Sequence, residues 1–212
     1  MKILIKNGRI IDPANQIDTV GNLQIVDETI QPLSEDFQPD QVIDASNRVV
    51  CPGLVDLRTR LREPGEKHKG TIRSETHAAA AGGVTTVAIP PDTIPVIDSS
   101  AVVELIRHKA EVAGFAEVIP LGALTKGLEG EELSNMGGLK QTGCNTVSNA
   151  RKPIRNSLVM RRAMEYATTH DLTLFLHAED PWLSNGGCAH EGSISTRLGL
   201  PGIPDAAESA GV

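Results

Sequence analysis

Arginine recurs at every second position, Arg58, Arg60 and Arg62, where the apolar run that opens CPGLVDLRTRLREPG gives way to polar residues. A guanidinium keeps its charge at any working pH and carries only donors. It can grip a carboxylate or phosphate but offers no lone pair to a cation. Alternation along a continuing strand would set all three on one side. There they would repel one another unless solvated, paired or holding an anion, and Asp56 and Glu63 are the nearest carboxylates. These residues alone leave two readings open: a solvated strand end with local ion pairs, or a functional or vestigial site. His177, in HAED, is a single imidazole after a later apolar run, and no His stands two residues from another.

The elements that would position these groups fall into two parts. Residues 1–50 carry short β-rich runs at 2–5, 9–11, 23–26 and 42–44, broken by Asn7-Gly8, Asp12-Pro13 and Gly21-Asn22. Asn-Gly between β-rich runs predicts a hairpin turn. From about residue 49 the rhythm is strand then helix, about five times over. Strands are expected at 49–57, 84–89, 117–124, 145–148 and 172–176. Helices are expected at 73–81, after a Ser100 cap, at 134–141, and from Ser157. Val102, Leu105, Ile106, Ala110 and Ala113 share one helical face, and Met160, Ala163, Met164 and Ala167 share another. Residues 198–212 read as a loop leading into a helix. Apolar strands alternating with helices mean a parallel sheet, either a barrel or an open doubly wound sheet. No GxGxxG or GxxxxGK[ST] follows any strand, so the nucleotide fingerprints of open sheets are missing. Five such units do not close an eight-stranded barrel, which takes about 250 residues. A fragment is expected, or a chain whose missing core comes from another.

Composition narrows the function classes. The 212 residues are 40% hydrophobic but only 2% aromatic, so Val, Ile, Leu and Ala must fill the core. A net charge of −7 argues against nucleic acid as a partner. Three scattered cysteines, Cys51, Cys144 and Cys188, form no CxxC pair and suggest reduced thiols in a cytoplasmic protein. No signal peptide or membrane span is expected.

Across essentially the whole chain, the sequence resembles the front half of dihydroorotase, of the amidohydrolase superfamily. The similarity rests on motifs that occur in order and at family spacing: NGRIIDP, VVCPGLVDL…LREPGEKHK, AAAAGGVTTVAIP, LVMRRAMEYA, HAED and EGSISTRLGLPGIP. The fold it implies is α/β: a small N-terminal β domain at 1–50, then a partial (β/α)8 TIM barrel of the amidohydrolase type at 51–212.

The resemblance also implies a catalytic zinc pair, and here the chain departs from it. The family's His-x-His ligands fall at Arg58 and Arg60. Its bridging Asp falls at Asn149, within Ser148-Asn149-Ala150-Arg151. One ligand His is kept as His177. The arginine that grips the substrate carboxylate in the family matches Arg62, and a substrate-contacting Asn has become Asp92. The family's remaining metal His and catalytic Asp would fall beyond Val212. The expectation is therefore no zinc, no cofactor and no catalytic residue. Degenerate relatives of this kind imply a non-catalytic structural subunit beside aspartate carbamoyltransferase, in a cytoplasmic hetero-oligomer. An active dihydroorotase, or an anion- or nucleotide-sensing regulatory subunit, is the alternative.

Overall fold

The computed structural model describes residues 1–211, and the chain divides into two compact units, Met1–Gly53 and Leu54–Val212. No helix among the described residues is long and apolar enough to cross a membrane.

The first unit is one five-stranded sheet. Strands β1 (Lys2–Asp12), β2 (Ile17–Val26), β3 (Thr29–Gln31), β4 (Gln41–Asp44) and β5 (Val49–Val50) make it up. Their order is β3-β2-β1-β4, with β5 pairing β1 beyond β4. Asn7-Gly8 is not a hairpin turn, contrary to the prediction. It is a register shift inside β1, between Ile5 and Gly8, with Asn7 at φ 60°. Asn tolerates the left-handed conformation and can interrupt a strand without ending it. A Cβ on Gly8 would lie 2.6 Å from Val50 Cγ2, so glycine lets β5 close against the bulge. The chain reverses instead after Asp12, whose carboxylate accepts N–H bonds from Ala14 and Asn15.

The second unit is built from parallel strands. It contains β6 (Leu54–Asp56), α1 (Ile72–Ala81), β7 (Val84–Ile89), α2 (Ser100–Ala113), β8 (Glu117–Pro120) and β9 (Gly122–Ala123). Next come α3 (Met136–Gln141), β10 (Thr146–Ser148), α4 (Ser157–Thr169), β11 (Thr173–Phe175) and α5 (Pro181–Ser184). Four short elements follow: β12 (Ala189–His190), α6 (Ser193–Leu198), β13 (Gly202–Ile203) and α7 (Ala206–Ser209). The ladders β6-β7-β8 and β9-β10-β11 are parallel throughout. The expected strand at 117–124 supplies both, broken at Leu121, whose N–H bonds to Ile89 O at 3.0 Å. The result is an arc of five parallel strand positions with helices between them, the front part of a (β/α)8 barrel.

Two apolar clusters hold the helices on the arc. Ile72, Val103, Ile106 and Leu139 pack against Val87, Ile89 and Val118. Met136, Ala163 and Ala167 pack against Leu124 and Val147. Val103 is fully buried and was not among the expected face residues, whereas Leu105 and Met164 are exposed. The cap expected at Ser100 shifts by one residue. Ser99 takes the cap position of α2, and the Ser100 hydroxyl instead donates to Gly138 O. Helix α4 begins at Ser157 as expected, capped by Asn156, whose side chain accepts the Leu158 N–H.

The first barrel strand departs most from expectation. Residues 49–57 do not form one buried strand: the run splits into β5 and β6, one in each unit. Leu54 and Leu57 are 61% and 58% exposed. Among the described residues β6 pairs only with β7, so its other edge and much of its side-chain surface are uncovered.

Candidate functional site

Parallel strands present all their C-terminal ends on one side, and the barrel fold places its chemistry there. Arg58, Asp92, Asn149 and His177 all follow such ends, after β6, β7, β10 and β11. The three arginines do not lie on a continuing strand. β6 stops at Asp56, whose carboxylate accepts the Arg58 N–H at 2.9 Å and turns the chain out of the ladder. Arg62 sits at φ 63° in the loop. Each arginine therefore has its own surroundings.

Arg60 is tied to Asp92, its Nη2 and Nε donating to Oδ2 at 2.5 and 3.0 Å. Those bonds outweigh desolvation and hold the Arg60 guanidinium above its ordinary pKa. Arg62 pairs with Glu66 at 3.0 Å, a carboxylate shared with Lys69. Two of the three cations are thus answered by acids, but not by Asp56 or Glu63. Arg58 has no carboxylate within ion-pair distance among the described residues. Desolvation first, then the nearby charges of Arg151 and Arg60, hold it below the ordinary guanidinium value, with Asp92 opposing. It remains a cation under any working condition.

Glu63 points elsewhere. It is buried, accepts the Ile72 N–H at 2.9 Å and pairs with Lys109 at 2.8 Å and Lys67 at 3.4 Å. Burial alone would raise its pKa, but Lys109, the Ile72 N–H and Lys67 together hold the carboxyl below the ordinary range. It clamps the loop after β6 to the start of α1 and to α2.

Asn149 is buried, with its amide turned into the fold. Its Oδ1 accepts from the Thr125 hydroxyl at 2.7 Å, and its Nδ2 donates to Lys152 O at 3.0 Å. His177 bonds through Nε2 to Glu179 Oε2 at 2.7 Å, and this bond is the first cause of the lowered Glu179 pKa. Arg58, Ser148 and His177 line one cavity, with Leu121, Leu174 and Phe175 among its apolar walls. Arg60, Arg62, Asp92 and Glu66 line a second.

These side chains do not fit the zinc pair that the resemblance implies. Two ligand positions carry guanidiniums, which have no lone pair and add fixed positive charge. The bridging position carries a neutral amide with both polar ends already engaged. His177 is left as one imidazole with a carboxylate partner. Among the described residues no three His, Cys, Asp or Glu side chains converge on a point that could hold a metal ion.

Sequence reasoning quoted Arg151 without giving it a role and missed Glu66, Lys109, Thr125 and Glu179. The i,i+4 spacing of Arg62 and Glu66 was a usable signal. The long-range partners Lys109 and Thr125 had none.

Comparison with known proteins agrees with this architecture. The family model described as Dihydro-orotase-like matches residues 47–212. A dihydroorotase-like protein of Pseudomonas putida is 48% identical over 212 residues, covering 99% of this chain and 50% of its own length. A dihydroorotase of Syntrophotalea carbinolica is 46% identical over 214 residues, covering 100% of this chain and 50% of its own. The chain thus spans about half the length of the curated relatives it matches. Among solved structures, L-hydantoinase from Arthrobacter aurescens superposes with a TM-score of 0.73 at 17% identity, over 87% of this chain and 42% of that one. That likeness shows the amidohydrolase barrel fold. On the family match and the fold together, the chain belongs to the dihydroorotase-like family.

Proposed function

We propose that this chain is a non-catalytic dihydroorotase-like protein, a structural subunit for the assembly of aspartate carbamoyltransferase in pyrimidine biosynthesis. The observation that carries the reading is the Arg60–Asp92 pair beside Arg58, where a zinc-binding His-x-His would be needed. Hydrolysis of this type needs a metal to make hydroxide available at neutral pH. A centre with guanidiniums at two ligand positions and an engaged amide at a third supplies no place for one. The name dihydroorotase-like protein, carried by the Pseudomonas putida relative, fits a chain that keeps the scaffold and loses the chemistry.

The second reading is an active dihydroorotase. Relatives such as that of Syntrophotalea carbinolica, named plainly dihydroorotase at 46% identity, favour it. One preparation separates the two. The chain is co-expressed with an aspartate carbamoyltransferase catalytic chain and purified by a tag on one partner. Zinc content, dihydroorotase turnover and carbamoyltransferase activity are then measured. The scaffold reading expects a joint complex, no stoichiometric zinc, no dihydroorotase turnover, and a transferase whose assembly depends on this chain. Transferase assembly and activity indifferent to the chain would sink the scaffold role. Two zinc ions per chain with turnover would establish the enzyme.

A further inference from the structure

Arg58 stands apart from its neighbours. Arg60 and Arg62 each have an acid against them, while among the described residues the Arg58 guanidinium makes no ion pair and no side-chain hydrogen bond. It faces a cavity that it shares with Ser148 and His177. Ser148 is buried, and its Oγ accepts the Ala150 N–H at 3.0 Å. The Ser148 O–H proton has no acceptor among the described residues, so it is free to be given to a ligand. Leu121, Leu174 and Phe175 supply an apolar wall to the same cavity. An uncompensated cation and a free hydroxyl donor beside apolar surface are complementary to one kind of molecule: an anion carried on an apolar body.

We propose that this cavity binds a small organic oxyanion, with its charged oxygens on Arg58 and Ser148 and its body against Leu121 and Phe175. The proposal rests on the metal-free reading of the centre, because a cation at the same place would itself attract the anion. It gives the site a use that needs no hydrolysis. A carboxylate and a phosphate monoester share the required chemistry.

Titration calorimetry of the full chain, treated with a chelator and dialysed, tests this with benzoate, phenyl phosphate and inorganic phosphate. Benzoate or phenyl phosphate is expected to bind one per chain, and whichever binds more tightly identifies the anion type. Inorganic phosphate is expected to bind more weakly than phenyl phosphate, since it has nothing to set against Phe175. Loss of a charge-assisted bond in Arg58→Gln should weaken binding about tenfold or more, and Ser148→Ala should weaken it several-fold. Arg9→Gln, at a paired surface arginine of the other unit, should leave it unchanged, and circular dichroism checks that each variant is folded. Failure of both organic anions to bind, or equal binding by Arg58→Gln, overturns the site. Inorganic phosphate matching phenyl phosphate overturns the role of the apolar wall. The two readings fail separately. Metal-free protein that binds nothing loses only the anion site. Anion binding that disappears with a chelated metal removes the metal-free reading as well.

Discussion

A histidine at residue 60 would face Asp92, and the consequences of that can be measured. Replacing Arg58 and Arg60 together by histidine restores two nitrogen ligands but leaves Asn149 bonded to Thr125 and Lys152. The double variant is expected to gain at most weak, substoichiometric zinc and no dihydroorotase turnover, checked by elemental analysis and a hydrolysis assay. Stoichiometric metal pairs in that variant would mean that the bridging position is dispensable. Asn149→Asp sets a carboxylate oxygen against the Lys152 carbonyl in place of a donated N–H. An unmet buried acceptor of this kind costs about 1–3 kcal/mol, to be read as a lower urea midpoint. The cysteines make a third test at this scale. Burial pushes the Cys144 thiol up to about 11, with Arg107 opposing, and its Sγ lies 3.4 Å from Pro120 O. Cys51 and Cys188 are exposed. A thiol reagent near neutral pH should label two cysteines in the folded chain and the third only after denaturation.

Helices and strands meet around small residues and one clamped acid. A Cβ on Gly122 would lie 2.8 Å from Leu139 Cδ1 and 3.3 Å from Val147 Cγ1, because β9 runs directly beneath α3. Gly122→Ala should therefore destabilise by about 1–3 kcal/mol through overpacking, visible in chemical unfolding. Glu63 joins three segments, and its carboxyl is held below the ordinary pKa. Its stabilising contribution is thus complete above the unfolded value of about 4.3 and fades as pH falls through the lower folded value. Glu63→Gln should lose stability at pH 7 and flatten the acid limb of the stability profile. An unchanged profile would show that the clamp carries little energy.

Much at this scale was legible from residue order, since apolar runs and 3.6-residue spacing marked the strand–helix rhythm and β7 falls on its expected bounds. The illegible parts were those decided by distant partners. Local β propensity cannot tell the Asn7-Gly8 bulge from a turn, because the deciding contact is with Val50. Nor does spacing show which acid answers which arginine: Arg60 reached 32 residues along the chain to Asp92 and passed over its near neighbours. The charge types at 58, 60 and 149 could be read directly, but the way Asn149 is sealed into the fold could not.

For the whole molecule, five parallel strand positions carry their own helices and core, while β6 leaves one edge unpaired among the described residues. Twenty-three large apolar side chains of the described residues lie exposed, including Leu54, Val55, Leu57 and Leu176 near the arc's two ends. Edges and faces of that kind are where further barrel elements or another chain would pack. The scaffold reading expects the chain to leave size exclusion as a defined complex with a transferase chain, and a sharp monomer peak unaffected by that chain would count against it. The Arg60–Asp92 contact has a further bearing on how this centre could ever change again. Each side chain is now the other's counter-ion, so replacing Arg60 alone leaves the Asp92 carboxylate unanswered at the barrel mouth, and replacing Asp92 alone leaves a second unpaired guanidinium beside Arg58. On the non-catalytic reading, a move back toward a metal ligand at residue 60 therefore begins with a lost ion pair, so the two positions can revert smoothly only together.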